Sequence, residues 1–208
     1  MNTDWELTPD KFLNTHELGQ LLRKAQDLYD LGISRKRKAL VRDWFLIQVA
    51  IFTGLRRAEI CELKVSDLHI GNGQSHLIVR TRKGGKKNQV VHFGKDFKCT
   101  LKKYLKWKMD NGELNPDAYL LRTERSELYS VSGLWARWRK HCPKKLHAAR
   151  HTFGKMTYQA TKDIRLLQKQ LSHSRLSTTQ IYADVTPDVI CAGMDAMEKL
   201  PKSICKAS

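Results

Sequence analysis

Between Leu171 and Val185 the chain reads LSHSRLSTTQIYADV, which places His173 nine residues before Tyr182. A tyrosine in that position is an aromatic core residue, or a nucleophile delivered to a site that already contains His173. Further back, TGLRRAEICELKVSDL sets Arg56 just after Gly54, with Glu59 three residues on. An arginine emerging from a helix end can hold a phosphate by a two-pronged hydrogen bond, with the glutamate bracing it. The plainer reading is a structural Arg56–Glu59 pair. In LHAARH, His147, Arg150 and His151 can share one helical face, at i, i+3 and i, i+4. Histidines four apart invite zinc, but the glutamate of H-E-x-x-H is missing and no third ligand suggests itself. A pair of surface histidines is the alternative, and Arg150 suits a phosphate oxygen. The run RKGGKK adds Lys83 and Lys86, which are ordinary solvated lysines unless a polyanion lies beside their turn.

Bulk composition says what such groups would act on. The 208 residues carry 38 Lys+Arg against 21 Asp+Glu, a formal net charge of +17. Such self-repulsion is tolerated in a fold, but a polyanionic partner is its usual reason, and nucleic acid is favoured over a membrane surface. A membrane-binding chain would show a basic amphipathic helix with clustered aromatics or a lipidation signal, and neither is clear. No apolar run approaches the roughly 20 residues that span a bilayer. The opening MNTDWELTPD lacks the apolar stretch of a secretory signal, so a cytoplasmic, nucleoid-associated location is expected. Cys61, Cys99, Cys142, Cys191 and Cys205 are odd in number and form no C-x-x-C pair. They argue against a disulfide framework or a thiolate zinc site, and are expected to be reduced, small and mostly buried.

The elements that must position these groups are legible from hydrophobic period. Thr15 can cap a helix carrying Leu18, Leu21, Leu22, Ala25 and Leu28 on one side. After the basic loop SRKRK, ALVRDWFLIQVAIFTG is apolar nearly all round, the mark of a central buried helix, and Gly54 ends it. From about Ser75 to Phe93 the period becomes two: HLIVRT and NQVVHF flank RKGGKK as a β-hairpin. A helix with Phe97, Leu101, Tyr104 and Leu105 inward follows and ends at Asn111-Gly112. Pro116 to Arg122 is irregular or briefly extended. Ser130 or Ser132 opens a helix bearing Leu134, Trp135 and Trp138. HAARHTFGKMTYQA and IRLLQKQLS are further helices, and Ser177 or Thr178 starts one containing Tyr182. Thr186-Pro187 opens the last, ending near Leu200-Pro201. The whole reads as mainly α with a small antiparallel β-sheet, in one compact domain.

Taken in order, arginine, hairpin lysine, His-x-x-Arg, histidine and tyrosine resemble the catalytic domain of the tyrosine recombinase (phage integrase) family. TGLRRAEICELKVSDL, RTRKGGKKNQVVHF, LHAARHTFGKM and LSHSRLSTTQIYADV carry the resemblance, which runs from about Leu7 to Val185. It implies a DNA breaking-rejoining fold. It also implies a catalytic set in which Arg56 matches the first arginine and Glu59 the acidic residue behind it. Lys83 matches the hairpin lysine, with Lys86 as runner-up because hairpin lengths vary. His147 and Arg150 match the His-x-x-Arg pair, His173 the second histidine and Tyr182 the nucleophile. The chemistry is consistent: a phenol of pKa near ~10 attacks weakly unless its proton is removed and the charge forming at phosphorus is stabilised. Two fixed arginines supply that stabilisation without a metal, and losing one should cost on the order of two to four powers of ten in rate.

What the resemblance implies for the whole chain is site-specific DNA cleavage and rejoining through a 3′-phosphotyrosine, as in integration, excision or inversion of a mobile element. The partners are double-stranded DNA and, on it, copies of the chain in a synaptic tetramer, with monomer free in solution; no cofactor or metal is called for. Type IB topoisomerase-like relaxation and a non-catalytic DNA-binding regulator are the alternatives. Residues 1–185 would form the catalytic domain and 186–208 a C-terminal helix and tail, bearing Val189, Ile190, Met194 and Met197, that docks in cis or in trans. Full-length members usually carry a core-binding helical domain ahead of this one. Its expected absence makes the chain a fragment, which should bind DNA weakly, or a short member like the fimbrial-switch invertases. Ala149 and Ser172 depart from the larger apolar residue and the glycine usual at those places, and are expected to be tolerated.

Overall fold

The structure is a computed structural model and describes residues 9–71, 74–80 and 88–171. Within them, helix α1 spans Thr15–Ser34, α2 Lys38–Thr53, α3 Arg57–Glu62, α4 Lys95–Asp110, α5 Val131–Arg139, α6 Leu146–Thr161 and α7 Ile164–Leu171. Strands β1 (Leu68–His69), β2 (His76–Val79) and β3 (Gln89–His92) form one antiparallel sheet in that order. The chain is mainly helical with a small sheet at one side, as its periodicity indicates. The two-residue β1, too short to show a period, escapes sequence reading.

Helix α2 is the axis of the core. Val41, Phe45, Ile47 and Ile51 on it are fully buried, and α1, α4, α5 and α6 all pack against it. Phe45 stacks on Tyr104 of α4 with ring centroids 3.8 Å apart. A helix apolar on every side has nowhere to lie but inside. Its two buried charges are paired: Arg42 donates to Glu113 at 2.7 Å, and Asp43 is held by Arg137 Nε at 2.7 Å and His141 Nε2 at 2.9 Å. The helix ends at Gly54, whose φ of +64° is a left-handed conformation that glycine adopts without strain.

Two boundaries are informative. Asn14, not Thr15, caps α1: its Oδ1 accepts the Glu17 N–H at 2.9 Å, and Glu17 Oε2 accepts the Asn14 N–H at 2.9 Å. Thr15 is the first helical residue. A reciprocal box of this kind satisfies two otherwise unpartnered backbone donors. Ser130 caps α5 by accepting the Gly133 N–H at 3.0 Å. Asn111 and Gly112 close α4 as expected, and the extended stretch near Tyr119 forms an isolated bridge to Lys64. Cys61 and Cys142 are buried and Cys99 is exposed; Cys191 and Cys205 lie outside the described residues. Among the described residues no helix is long and apolar enough to cross a membrane.

Candidate active site

The end of α2 builds the site's first wall. Gly54 turns the chain, Leu55 is buried, and Arg56 stands in extended conformation at the head of α3. Glu59, one turn into α3, accepts the Arg56 backbone N–H at 2.6 Å through Oε2. Its Oε1 takes the guanidinium Nη1 at 2.8 Å. The glutamate therefore fixes both the backbone and the head group of Arg56, whose side chain stays 46% exposed. The expected brace is present, and it leaves the guanidinium facing solvent.

The first turn of α6 is the opposite wall. His147 and Arg56 line the same open cleft of about 560 Å³, together with Arg57, Trp135 and Lys145. Partial burial, then the charges of Arg150 and Arg56, hold the His147 imidazole below its ordinary pKa. The lowering favours the uncharged imidazole, the form that accepts a proton. Its ring meets His151 edge-on, with centroids 4.4 Å apart, and His151 is buried. The pair is a ring contact running from the cleft into the interior.

Arg150 lies behind the cleft, only 3% exposed. Its Nη1 donates to the Gly54 carbonyl and its Nη2 to the Leu171 carbonyl, both at 2.6 Å. Those bonds use two of a guanidinium's five donors. The Gly54 acceptor is the C-cap of α2, where a carbonyl has no partner inside its own helix. Arg150 thus ties the end of α2, beside Arg56, to the end of α7, two residues before His173. This clamp is invisible in the sequence because its partners are backbone atoms distant along the chain.

Strand β3 of the hairpin packs against α7. His76↔His92 through Val79↔Gln89 pair in antiparallel register, so residues 80–88, with Lys83 and Lys86 among them, connect β2 to β3. Arg80 at the base is pinned by Asp67 at 2.6 Å and by Ser66 Oγ at 3.1 Å. Lys83, Lys86, His173 and Tyr182 lie outside the described residues. The structure therefore brings Arg56 and His147 onto one cleft and places Arg150 beneath it. Arg57 and Lys145 are cleft cations that sequence reading passed over; the only signal was the basic run PKKLHAARH, in which Lys145 sits two residues before His147.

A sequence profile of the phage integrase family matches residues 11–188, a stretch that contains every one of these residues. The chain belongs to the phage integrase family. Among its relatives in that family is the tyrosine recombinase XerA of Pyrococcus horikoshii, 34% identical over 154 residues, which cover 70% of this chain and 51% of the relative. Tyrosine recombinase XerD of Listeria monocytogenes is 29% identical over 186 residues, covering 85% of this chain and 58% of XerD. This integrase-family chain thus spans about half the length of the curated relatives it matches. Its fold is that of XerH in a post-cleavage complex on a palindromic difH substrate: TM-score 0.72, 22% identity, 95% of this chain and 56% of that one. A XerA recombinase crystal structure gives a TM-score of 0.69 at 21% identity, covering 95% of this chain and 65% of that one.

Proposed function

We propose that the chain catalyses site-specific DNA strand exchange through a covalent bond between Tyr182 and DNA. The observation that carries this reading is the shared cleft: Arg56 and His147 face one space, and Arg150 braces the ends of α2 and α7 beneath it. The family match over residues 11–188 supports carrying the remaining roles to Lys83, His173 and Tyr182.

In this mechanism the Tyr182 phenol oxygen attacks the scissile phosphorus in line, and the P–O5′ bond breaks. The phenol proton passes to His147. The departing 5′ oxygen takes a proton from Lys83. Arg56 and Arg150 stabilise the charge that builds on the non-bridging oxygens, and His173 adds a hydrogen bond there. The product is a 3′-phosphotyrosine and a 5′-hydroxyl. Because the phosphodiester's energy stays in a covalent bond, a 5′-hydroxyl from another duplex reverses the step without ATP. Residues 1–185 form the catalytic unit. Residues 186–208 are the C-terminal segment that docks in cis or in trans; docking in trans would tie cleavage to a tetramer synapsed on double-stranded DNA. The +17 charge suits that partner, and the nucleoid is where such a protein would work.

The test is a nicked suicide duplex, drawn from the DNA flanking the coding region, incubated with the protein and run on a denaturing gel. A covalent adduct that disappears in Tyr182→Phe, with duplex binding retained, is the expected result. An undiminished adduct in Tyr182→Phe rules the assignment out. Joining of strands from two different duplexes distinguishes recombination from simple relaxation.

A further inference from the structure

Helix α7 is fastened to the sheet by a contact that the catalytic set does not include. Phe93 N–H donates to the Ser75 carbonyl at 3.3 Å, so the His76↔His92 pair is of the non-hydrogen-bonded kind. In that register the N–H and C=O of His92 point away from β2, toward the open edge of β3. Gln170 fills that edge as a neighbouring strand would. Its Oε1 accepts the His92 N–H at 3.3 Å, and its Nε2 donates to the His92 carbonyl. Gln89, at the other end of β3, donates from Nε2 to the Gln170 backbone carbonyl at 2.8 Å. The next carbonyl, that of Leu171, is the one held by Arg150.

Two consecutive carbonyls at the end of α7 are thus gripped from two sides, one by β3 and the other by the arginine beneath the cleft. An apolar residue at position 170 would serve the helix equally well, since α7 already buries Leu167 and Leu171. Both polar atoms of the Gln170 amide are bonded to β3. We propose that Gln170 is a positioning residue. It fastens β3, and so the Asn88 end of the connection that carries Lys83, to the end of α7 that Arg150 holds. The inference rests on the strand-exchange reading above, in which a group on that connection protonates the 5′ oxygen.

The experiment compares two suicide duplexes, one with an ordinary scissile phosphate and one with sulfur replacing the bridging 5′ oxygen. A thiolate, whose conjugate acid has a pKa near 8.5, departs without the proton that an alkoxide requires. Gln170→Leu should slow adduct formation on the oxygen substrate by roughly 10- to 100-fold, the scale of a misplaced catalytic group. On the sulfur substrate its rate should fall within about threefold of wild type, with duplex binding and melting temperature little changed. Gln170→Glu keeps the acceptor and loses the donor, and should give an intermediate deficit with the same sulfur rescue. Wild-type rates for Gln170→Leu on both substrates, or equal losses on both, would overturn the positioning role. Wild-type protein that forms no adduct on either substrate would instead overturn the strand-exchange reading itself. An adduct lost in Tyr182→Phe upholds that reading whatever Gln170→Leu does.

Discussion

Arg56 and Arg150 have matching roles in the proposed chemistry but unequal roles in the fold, and alanine at each should separate the two. Arg56 is 46% exposed and pairs with Glu59 at a helix start. Exposed pairs of this sort contribute about 0–1 kcal/mol, so Arg56→Ala should melt within about 4 °C of wild type. Arg150 is 3% exposed and supplies donors to the carbonyls of Gly54 and Leu171, both in buried residues. Removing it takes a charged donor from each of two buried carbonyls, at about 1–3 kcal/mol each, or about 2–6 kcal/mol together. At about 2–4 °C per kcal/mol for a chain of this size, Arg150→Ala should melt roughly 4–20 °C lower. Both variants should lose about two to four powers of ten in adduct formation at a temperature where each is folded. Calorimetry or circular dichroism melts, paired with suicide-substrate kinetics, read both effects. Equal melting temperatures for the two variants would refute the clamp. Near-normal cleavage by folded Arg56→Ala would refute the phosphate role.

Gly54→Ala combines a positive φ of +64° with a new Cβ placed 2.4 Å from Phe153 Cδ1. It should destabilise the fold by about 2–5 kcal/mol in urea titration, and a melt unchanged from wild type would contradict the turn described here. Lys108 is fully buried, and its pKa is pushed down to about 8, chiefly by burial, against an ordinary 10.5. The unfolded chain therefore binds more protons between those values, and stability rises as pH climbs through that window, by up to about 3 kcal/mol. Lys108→Met should lack that rise when denaturation is followed at pH 8 and pH 10.5; an identical rise in the variant would show that another group is responsible. His147, held low first by burial and then by Arg150 and Arg56, should lose its proton-accepting form only at a pH below the usual imidazole range. The acid limb of cleavage should lie there, and Arg56→Gln should move the imidazole titration upward in NMR; a downward move would reverse the assigned cause.

Much of the frame can be read from residue types alone. The all-apolar face of α2, the period of two on either side of RKGGKK, the serine opening α5 and the Asn111-Gly112 stop all act locally, so the sequence shows them directly. The cap of α1 is a near miss of the same kind: Asn14 and Thr15 are both good capping residues, and Glu17 decides between them by sitting three residues after Asn14. What stays hidden is tertiary. Arg150 reads in sequence as a phosphate ligand on a helical face; that it also holds two backbone carbonyls, 96 and 21 residues away, shows only in the fold. Gln170 looks like one more polar position on an amphipathic helix until β3 is set beside it. Arg57 and Lys145 carry no pattern of their own, and gain meaning only from the cleft they share with Arg56 and His147.

The proposed chemistry requires convergence at a single phosphorus, and a structure of the protein bound to its nicked duplex measures that directly. The prediction is that the guanidinium groups of Arg56 and Arg150 contact non-bridging oxygens of one phosphate. The phenol oxygen of Tyr182, from the same copy or a neighbour, should stand about 3–3.5 Å from that phosphorus and opposite the 5′ oxygen. Guanidinium groups on different phosphates, or a Tyr182 whose phenol cannot come to the cleft in any copy of the assembly, would contradict it.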